Sequence, residues 1–169
     1  MLLLAFCGQI YVIFHYSSSH IQTRGLCVRL RISLYGVRFV KPGMKIGQTA
    51  VVQATVTPDM FAQFGGQVVH PAYSTVSMVY HMEWAARKII LPYLEDHEEG
   101  IGGAVSVKHI SPTTEGETVT VTATLTEIRD NIIITKVEAR NERELIGIGE
   151  VKQVILPKER IKQMLQRSE

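Results

Sequence analysis

The chain has 169 residues, of which 46% are hydrophobic and 20% charged, and this composition is typical of one globular domain with its own core. Its formal net charge of +2 is unevenly distributed, because residues 1–39 hold four arginines and no Asp or Glu. Residues 40–169 hold 14 basic and 16 acidic side chains. They show no basic stripe with interleaved aromatic residues, which argues against nucleic-acid binding.

Residues 1–39 are a leader of doubtful status. The run "MLLLAFCGQIYVIF" has about the length of a signal peptide's apolar region, but it lacks a basic start and a clear cleavage site. It is also too short and too interrupted for a confident membrane span. A mis-assigned start, with Val40 encoded by a GTG codon, is the alternative. We therefore assign residues 40–169 as the folded domain and expect no membrane contact there.

The two cysteines, Cys7 and Cys27, both lie in this leader. Residues 40–169 therefore contain no cysteine nucleophile, thiolate metal site or disulfide. The HExxH and CxxC patterns are absent, and His70, His81 and His97 show no metal-ligand spacing, so we expect no metal and no cofactor. A reducing compartment, and hence a cytoplasmic location, is compatible with this composition.

The first predicted elements of the domain are a strand and a long helix. "QTAVVQATVT" (48–57) alternates apolar and polar residues, which predicts a strand. "PDMFAQFGGQVVHPAYS" has Pro near both ends and a Gly pair, which predicts a short helical turn and then a loop. From about Ser74 or Thr75 to Leu91, apolar residues recur with a 3.6-residue period, so we expect one largely enclosed helix that ends at Pro92.

The remaining elements are mostly strands. Val-, Ile- and Thr-rich runs predict strands at 102–110, 117–128, 131–140 and 145–156, and a short amphipathic helix begins at Pro157. Tight turns at "RDN" and "NERE" should pair their flanking strands antiparallel. One helix enclosed by one curved antiparallel sheet is an α+β arrangement, and the hot-dog fold has this element order. Because a single sheet of this kind leaves its edges unpaired, we expect a homodimer, with a tetramer left open.

Glu83 is the first candidate site residue, since it lies among mostly apolar neighbours in "VYHMEWAARKII". A half-buried carboxylate is destabilising unless it has a partner, and such a group is a candidate for function. The ordinary alternatives are a surface position or an ion pair with Arg87, four residues later.

Thr75 and His109 are the other two polar candidates. Thr75 precedes Glu83 by eight residues, about 12 Å along a helix, so the two side chains cannot touch on one helix. Its ordinary alternative is a helix N-cap. His109 ends the strand in "SVKHISPTTEG", where a surface or core histidine is the alternative. Gly102, in "GIGGAVSV", could let a ligand approach the backbone and its N–H groups, or could simply form a turn.

Three segments together resemble the hot-dog thioesterases related to the fluoroacetyl-CoA-specific enzyme. They are "STVSMVYHMEWAARKIILPYLE", "GIGGAVSVKHISPTTEGETVTVTATL" and "LIGIGEV", and the resemblance covers about residues 40–156. It implies that Thr75, Glu83 and His109 form a catalytic set at a dimer interface. It also implies that Gly102 lies beside the thioester carbonyl, and that an aromatic lid, here Phe61 and Phe64, covers the acyl group.

Two features differ from the fluoroacetyl-CoA enzyme. The segment from Phe64 to Thr75 is longer here, and the last strand carries Lys152 and Gln153 where that enzyme places an arginine. Fluoroacetyl specificity is therefore not implied.

The predicted reaction is hydrolysis of an acyl-CoA thioester, with coenzyme A as part of the substrate. Glu83 would act as nucleophile through an anhydride or as general base toward water. Arg87, Lys108 and Lys152 are unranked candidates for the phosphates of coenzyme A. The rival predictions are a non-catalytic acyl-CoA-binding module and a hot-dog hydratase or dehydratase, although the Asp–His pair usual in hydratases is missing.

Overall fold

The computed structural model describes residues 2–6, 9–13 and 40–166, and the chain forms two compact units, 1–34 and 35–169. The described part of the first unit is an antiparallel pair, β1 (Leu2–Phe6) and β2 (Gln9–Ile13). The rest of the leader lies outside the described residues. Among the described residues, none of the helices combines the length and the hydropathy that crossing a membrane requires.

The second unit contains seven described strands and two helices. In chain order they are β3 (Thr49–Thr55), β4 (Phe61–Phe64), β5 (Gln67–Tyr73), α1 (Thr75–Ile90), β6 (Glu98–His109), β7 (Thr118–Arg129), β8 (Ile132–Arg140), β9 (Leu145–Pro157) and α2 (Lys158–Gln166). One-turn 3₁₀ helices span Pro58–Met60 and Leu91–Tyr93. The predicted strands and helices are therefore present, and β6 begins four residues earlier than expected.

Five strands form one antiparallel sheet in the order β3-β7-β8-β9-β6. Helix α1 contacts all five of them, so the sheet curves around the helix. This confirms the predicted α+β architecture. Strand β6 is an edge of the sheet, and its outward backbone groups have no ladder partner among the described residues.

The core lies between α1 and the concave face of the sheet. Along β7, inward residues are buried at every second position, as the alternating sequence predicts: Val119, Val121, Ala123 and Leu125. The helix contributes Met78, Met82, Ala85, Ala86, Ile89 and Ile90 to the same cluster. Burial stabilises the fold by about 25 cal/mol per Å² of apolar surface removed from water. Because these side chains all lie on one face of the helix, their burial fixes its rotation about its own axis. That rotation decides where the polar residues of α1 point.

The segment before α1 corrects one prediction. Residues 61–73 form a hairpin of β4 and β5 and not the expected loop. Gly65 and Gly66 connect the two strands with φ values of 58° and 79°, and a two-residue turn with both central φ angles positive suits the twist of a hairpin. The Gly pair was the sequence signal for this hairpin turn. Pro71 had instead suggested a loop.

The structure does not support the alternative in which Thr75 is the N-cap of α1. Ser74 is the N-cap, and its Oγ accepts a hydrogen bond from the Ser77 backbone N–H at 3.0 Å. Thr75 is the first helical residue, so its hydroxyl is free for another partner.

Candidate active site

Thr75 and His109 form a hydrogen-bonded pair. Thr75 Oγ1 lies 3.0 Å from His109 Nδ1, and His109 Nε2 lies 3.1 Å from the Ser111 carbonyl oxygen. A carbonyl can only accept, so Nε2 carries the proton and donates it. The tautomer that carries its hydrogen on Nε2 leaves Nδ1 free to accept from the Thr75 hydroxyl. The pair is therefore oriented before any substrate arrives.

The fold brings this pair together from two distant elements. Thr75 begins α1, while His109 is the last residue of β6, beside the point where Ile110 N–H bonds to the Ile146 carbonyl at 2.7 Å. Both side chains line a cavity of about 310 Å³ together with His70. A ligand entering this cavity would meet the hydroxyl and the imidazole side by side.

Glu83 lies in a second cavity of about 230 Å³, further along α1. Its carboxylate is half-buried and faces β6, since Oε1 would lie only 2.8 Å from a Cβ placed on Gly102. Within residues 40–166, the Glu83 carboxylate makes no hydrogen bond or ion pair. The missing side chain at Gly102 thus leaves room for a carboxylate directly above the strand backbone.

The structure does not support the alternative in which Glu83 forms an ion pair with Arg87. Arg87 Nη1 pairs with Glu99 Oε1 at 2.8 Å and donates to the Gly100 carbonyl at 3.3 Å, so the arginine is committed to β6 and not to Glu83. The hydrogen bond from Arg87 holds the pKa of Glu99 below its usual range.

The structure therefore brings Thr75 and His109 together but leaves Glu83 apart from them within the single chain. The three side chains line two different cavities, one at the start of α1 and one at its middle. Gly102 lies with Glu83 and is exposed. It directly precedes a β-bulge, because Gly102 pairs with Gln153 and Ala104 with Lys152, which leaves Gly103 unpaired.

The two predicted lid residues differ in position. Phe61 is only 8% exposed and belongs to the core, whereas Phe64 is 73% exposed at the hairpin turn. Both line a third cavity, of about 330 Å³, which Thr75 also borders. The hairpin thus places aromatic side chains beside the Thr75 half of the candidate site.

Sequence reasoning had assigned no site role to three further residues of the Glu83 cavity: Tyr80, Trp84 and Gln153. Gln153 carried a signal that could have found it. It occupies an inward position of β9 between buried Val151 and Ile155, where the alternating pattern calls for an apolar residue.

A buried aromatic pair fixes the inner side of α1 between the two cavities. Tyr73 Oη and His81 Nδ1 lie 2.6 Å apart, and the two rings stack with centroids 5.8 Å apart. Burial lowers the pKa of His81, and a hydrogen bond to the Ser77 backbone opposes this effect only in part. Burial also raises the pKa of Tyr73. Both groups are therefore neutral at physiological pH. Within residues 40–166, no cluster of three His, Cys, Asp or Glu side chains could hold a metal ion.

Comparison with known proteins decides the family. The family described as "Fluoroacetyl-CoA-specific thioesterase" has a model that matches residues 56–159. The chain belongs to this family. The fluoroacetyl-CoA thioesterase of Streptantibioticus cattleyicolor is 32% identical over 121 residues, which cover 65% of this chain and 84% of that protein.

Solved structures agree with this membership. A Thermus thermophilus hypothetical protein, a thioesterase superfamily member, is 43% identical with a TM-score of 0.73, covering 75% of this chain and 94% of that one. A solved structure of the fluoroacetyl-CoA thioesterase is 28% identical with a TM-score of 0.70, covering 75% and 98%. A hot-dog-like protein from Thermanaerovibrio acidaminovorans, 16% identical over 73% and 91% of the two chains with a TM-score of 0.68, supports the fold alone. This member of the family is a hot-dog protein and a thioester hydrolase.

Proposed function

We propose that the protein hydrolyses acyl-CoA thioesters at a composite site, formed by Glu83 of one protomer and the Thr75–His109 pair of its partner. The observation that carries the proposal is the division of the three polar groups between two cavities of a single chain. A two-fold dimer would bring the middle of one α1 close to the start of the other, which a single helix cannot do.

Two exposed surfaces support the dimer. On α1, Val76 and Tyr80 are 74% and 63% exposed and Trp84 is also exposed, so an apolar stripe at four-residue spacing runs beside Glu83. Strand β6 is an edge strand adjacent to that stripe. Pairing of two β6 strands would cover the edge and bury the stripe in one operation.

In the first step of hydrolysis, the carboxylate of Glu83 acts in one of two ways. It takes a proton from a water molecule whose oxygen bonds to the thioester carbon, or it attacks that carbon itself. Direct attack gives a mixed anhydride that water then opens. In both routes the carbon–sulfur bond breaks, and the coenzyme A thiolate leaves and takes up a proton. The unpaired Glu83 suits this role, because no cation among residues 40–166 neutralises its charge.

The other groups would position the reactants. When the Thr75 hydroxyl donates its hydrogen bond to His109 Nδ1, its oxygen lone pairs are left to accept a hydrogen bond from the reacting water. Backbone N–H groups next to Gly102 would stabilise the oxyanion, and loss of such a donor typically costs ~10²–10³ in rate. Phe64, as the more exposed of the two predicted lid residues, is better placed than Phe61 to cover an acyl group.

The test is release of free thiol from a panel of short acyl-CoA thioesters by the full chain, compared with Glu83→Gln. We expect Glu83→Gln to lower kcat by about 10²–10⁴, the usual contribution of a general base. Glu138→Gln is the matched control, since it makes the same change at an exposed carboxylate on β8 and should leave kcat unchanged. Wild-type turnover by Glu83→Gln would refute the assignment of Glu83. Absence of turnover across the panel would refute the acyl-CoA substrate class.

A further inference from the structure

Gln153 is a buried amide whose hydrogen bonding is incomplete. It is only 6% exposed, and its Oε1 has no hydrogen-bond partner among the described residues. Its neighbours on the inward face of β9, Val151 and Ile155, are fully buried and apolar. Because buried polar groups in native proteins are almost always paired, an orphaned amide oxygen at this position calls for a partner that the described residues do not supply.

The amide lies in the cavity of the candidate catalytic carboxylate. Gln153 stands directly opposite Gly102 in the β6–β9 ladder, and Gly102 is the residue above which Glu83 Oε1 sits. Residues that face each other across antiparallel strands have Cα atoms roughly 4.5–5.5 Å apart. A thioester carbonyl beside Glu83 would therefore place the first or second carbon of its acyl group within reach of Gln153.

The absence of a side chain at Gly100 keeps this part of the cavity open. A Cβ there would overlap Ile90 Cδ1 and would lie 3.2 Å from Gln153 Oε1. Rotation about the last side-chain torsion of glutamine is soft, so either amide atom can turn toward an occupant. The cavity of about 230 Å³ is large enough for a short acyl group.

The charges around the Gln153 amide limit which functional group the bound acyl group can carry. Arg87 also lines the cavity but is paired with Glu99, so it offers no free cation for an acyl carboxylate. Glu83 would repel such a carboxylate. A hydroxyl group fits instead, because it can donate to Oε1 or accept from Nε2 without bringing a charge.

We propose that Gln153 determines substrate specificity by hydrogen-bonding a hydroxyl on the α or β carbon of the acyl group, so that the substrates are short hydroxyacyl-CoA thioesters. This inference rests on the proposed hydrolysis at Glu83. The competing explanation is a structural water molecule that satisfies the amide in the cavity, which would make Gln153 indifferent to the acyl group.

Two matched pairs of thioesters test the proposal: glycolyl-CoA against propionyl-CoA, and 3-hydroxypropionyl-CoA against butyryl-CoA. Within each pair a hydroxyl replaces a methyl group of similar size. We expect the full wild-type chain to prefer the hydroxylated member of at least one pair by about 10- to 100-fold in kcat/KM, because an apolar analogue leaves the buried amide unpaired.

The variant Gln153→Met keeps the length of the side chain and removes the amide, and it should bring the preference close to one. Gln153→Asn keeps the amide but withdraws it, and provides a second test if the methionine variant folds poorly. Thr135→Val is the matched control. Thr135 is also buried, and its hydroxyl donates to the Val151 carbonyl at 3.3 Å. It is not among the residues that line the Glu83 cavity, so its loss should slow the turnover of both thioesters in a pair alike.

The outcomes separate the two levels of the argument. Turnover of both members of each pair without preference, or an equal preference in wild type and Gln153→Met, would overturn the role of Gln153 and leave thioester hydrolysis intact. No turnover of any of the four thioesters would overturn the hydrolysis of short acyl-CoA thioesters, and this inference with it.

Discussion

The two halves of the candidate site are carried by the same helix but are prepared for substrate in different ways. At the start of α1, Thr75 is already bonded to His109, which in turn donates to Ser111. At the middle of α1, Glu83 has no protein partner for its carboxylate among residues 40–166 and faces a glycine of the neighbouring strand. One half is an oriented hydrogen-bond chain, and the other is an unneutralised charge above a glycine backbone.

This difference indicates a division of labour. An oriented imidazole and hydroxyl need little reorganisation when a substrate binds, which is the property of a positioning group. A carboxylate without a cation or hydrogen-bond donor has both oxygens free to contact a water molecule or a substrate carbon. Under the proposed mechanism, the hydrogen bonds lie on the half that would orient the substrate and are missing from the half that would react.

The largest expected effect comes from mixing subunits with opposite halves disabled. Glu83→Gln and His109→Ala should each be nearly inactive alone. In a mixed dimer, one composite site would regain both native halves, so a fully exchanged equimolar mixture should recover about a quarter of wild-type activity. Thiol release after co-expression with two different affinity tags would measure this recovery.

The matched control mixes Thr75→Val with His109→Ala. Both changes lie in the same half, so no site in the mixed dimer would be complete and no recovery is expected. Isolation of a mixed Glu83→Gln and His109→Ala dimer without activity would contradict a site shared between protomers.

A smaller effect is expected from filling the space above Gly102. In Gly102→Ala the added methyl group would lie 2.8 Å from Glu83 Oε1, so the carboxylate must move. We expect kcat to fall by roughly tenfold or more, since misplacement by about 1 Å can cost up to 10²-fold. The Thr75–His109 half should be unaffected, because the methyl group is not near it.

Gly103→Ala is the control for this change. Its added methyl group would meet Val154 Cγ2 at 3.2 Å and Lys152 Cγ at 3.5 Å, away from Glu83. The comparison of kcat and melting temperature in the two variants separates displacement of the carboxylate from general strain in the bulge. Equal losses of activity in both variants would contradict the proposed role of the gap at Gly102.

The smallest effect concerns the part of α1 between the two halves and depends on pH. Burial lowers the pKa of His81, so between that value and the ordinary value of about 6.5 the unfolded chain binds more protons than the folded one. The stability gained by keeping His81 neutral is complete above about pH 6.5 and is lost as the pH falls. We expect the melting temperature to fall between pH 7 and pH 5.

The variant His81→Gln should have a lower melting temperature at pH 7 and a shallower fall toward pH 5. The pKa of Glu99 is also lowered, by Arg87, so its contribution is lost at more acidic pH than that of His81. An identical pH dependence in wild type and His81→Gln would show that His81 does not titrate on unfolding.

Part of this site could be predicted from local pattern. The 3.6-residue period gave α1, the alternation gave the strands, and the helix-strand order gave the α+β sheet, because each depends on residues close in sequence. The hairpin at 61–73 was missed because Pro71 suggested a loop. In the structure, Pro71 lies within β5, and residues around it pair with β4. The choice between Ser74 and Thr75 as N-cap was also open from sequence, because both residues cap helices well.

The sequence by itself determined which chemical groups are present and on which elements they lie: a hydroxyl at the start of a helix, a carboxylate eight residues later and an imidazole at the end of a strand. Only the tertiary structure decided which of them meet. Thr75 and His109 are 34 residues apart and touch because β6 ends beside the start of α1. Likewise, Gln153 faces Gly102 only through the register of β6 and β9, which long-range packing sets and no local pattern encodes.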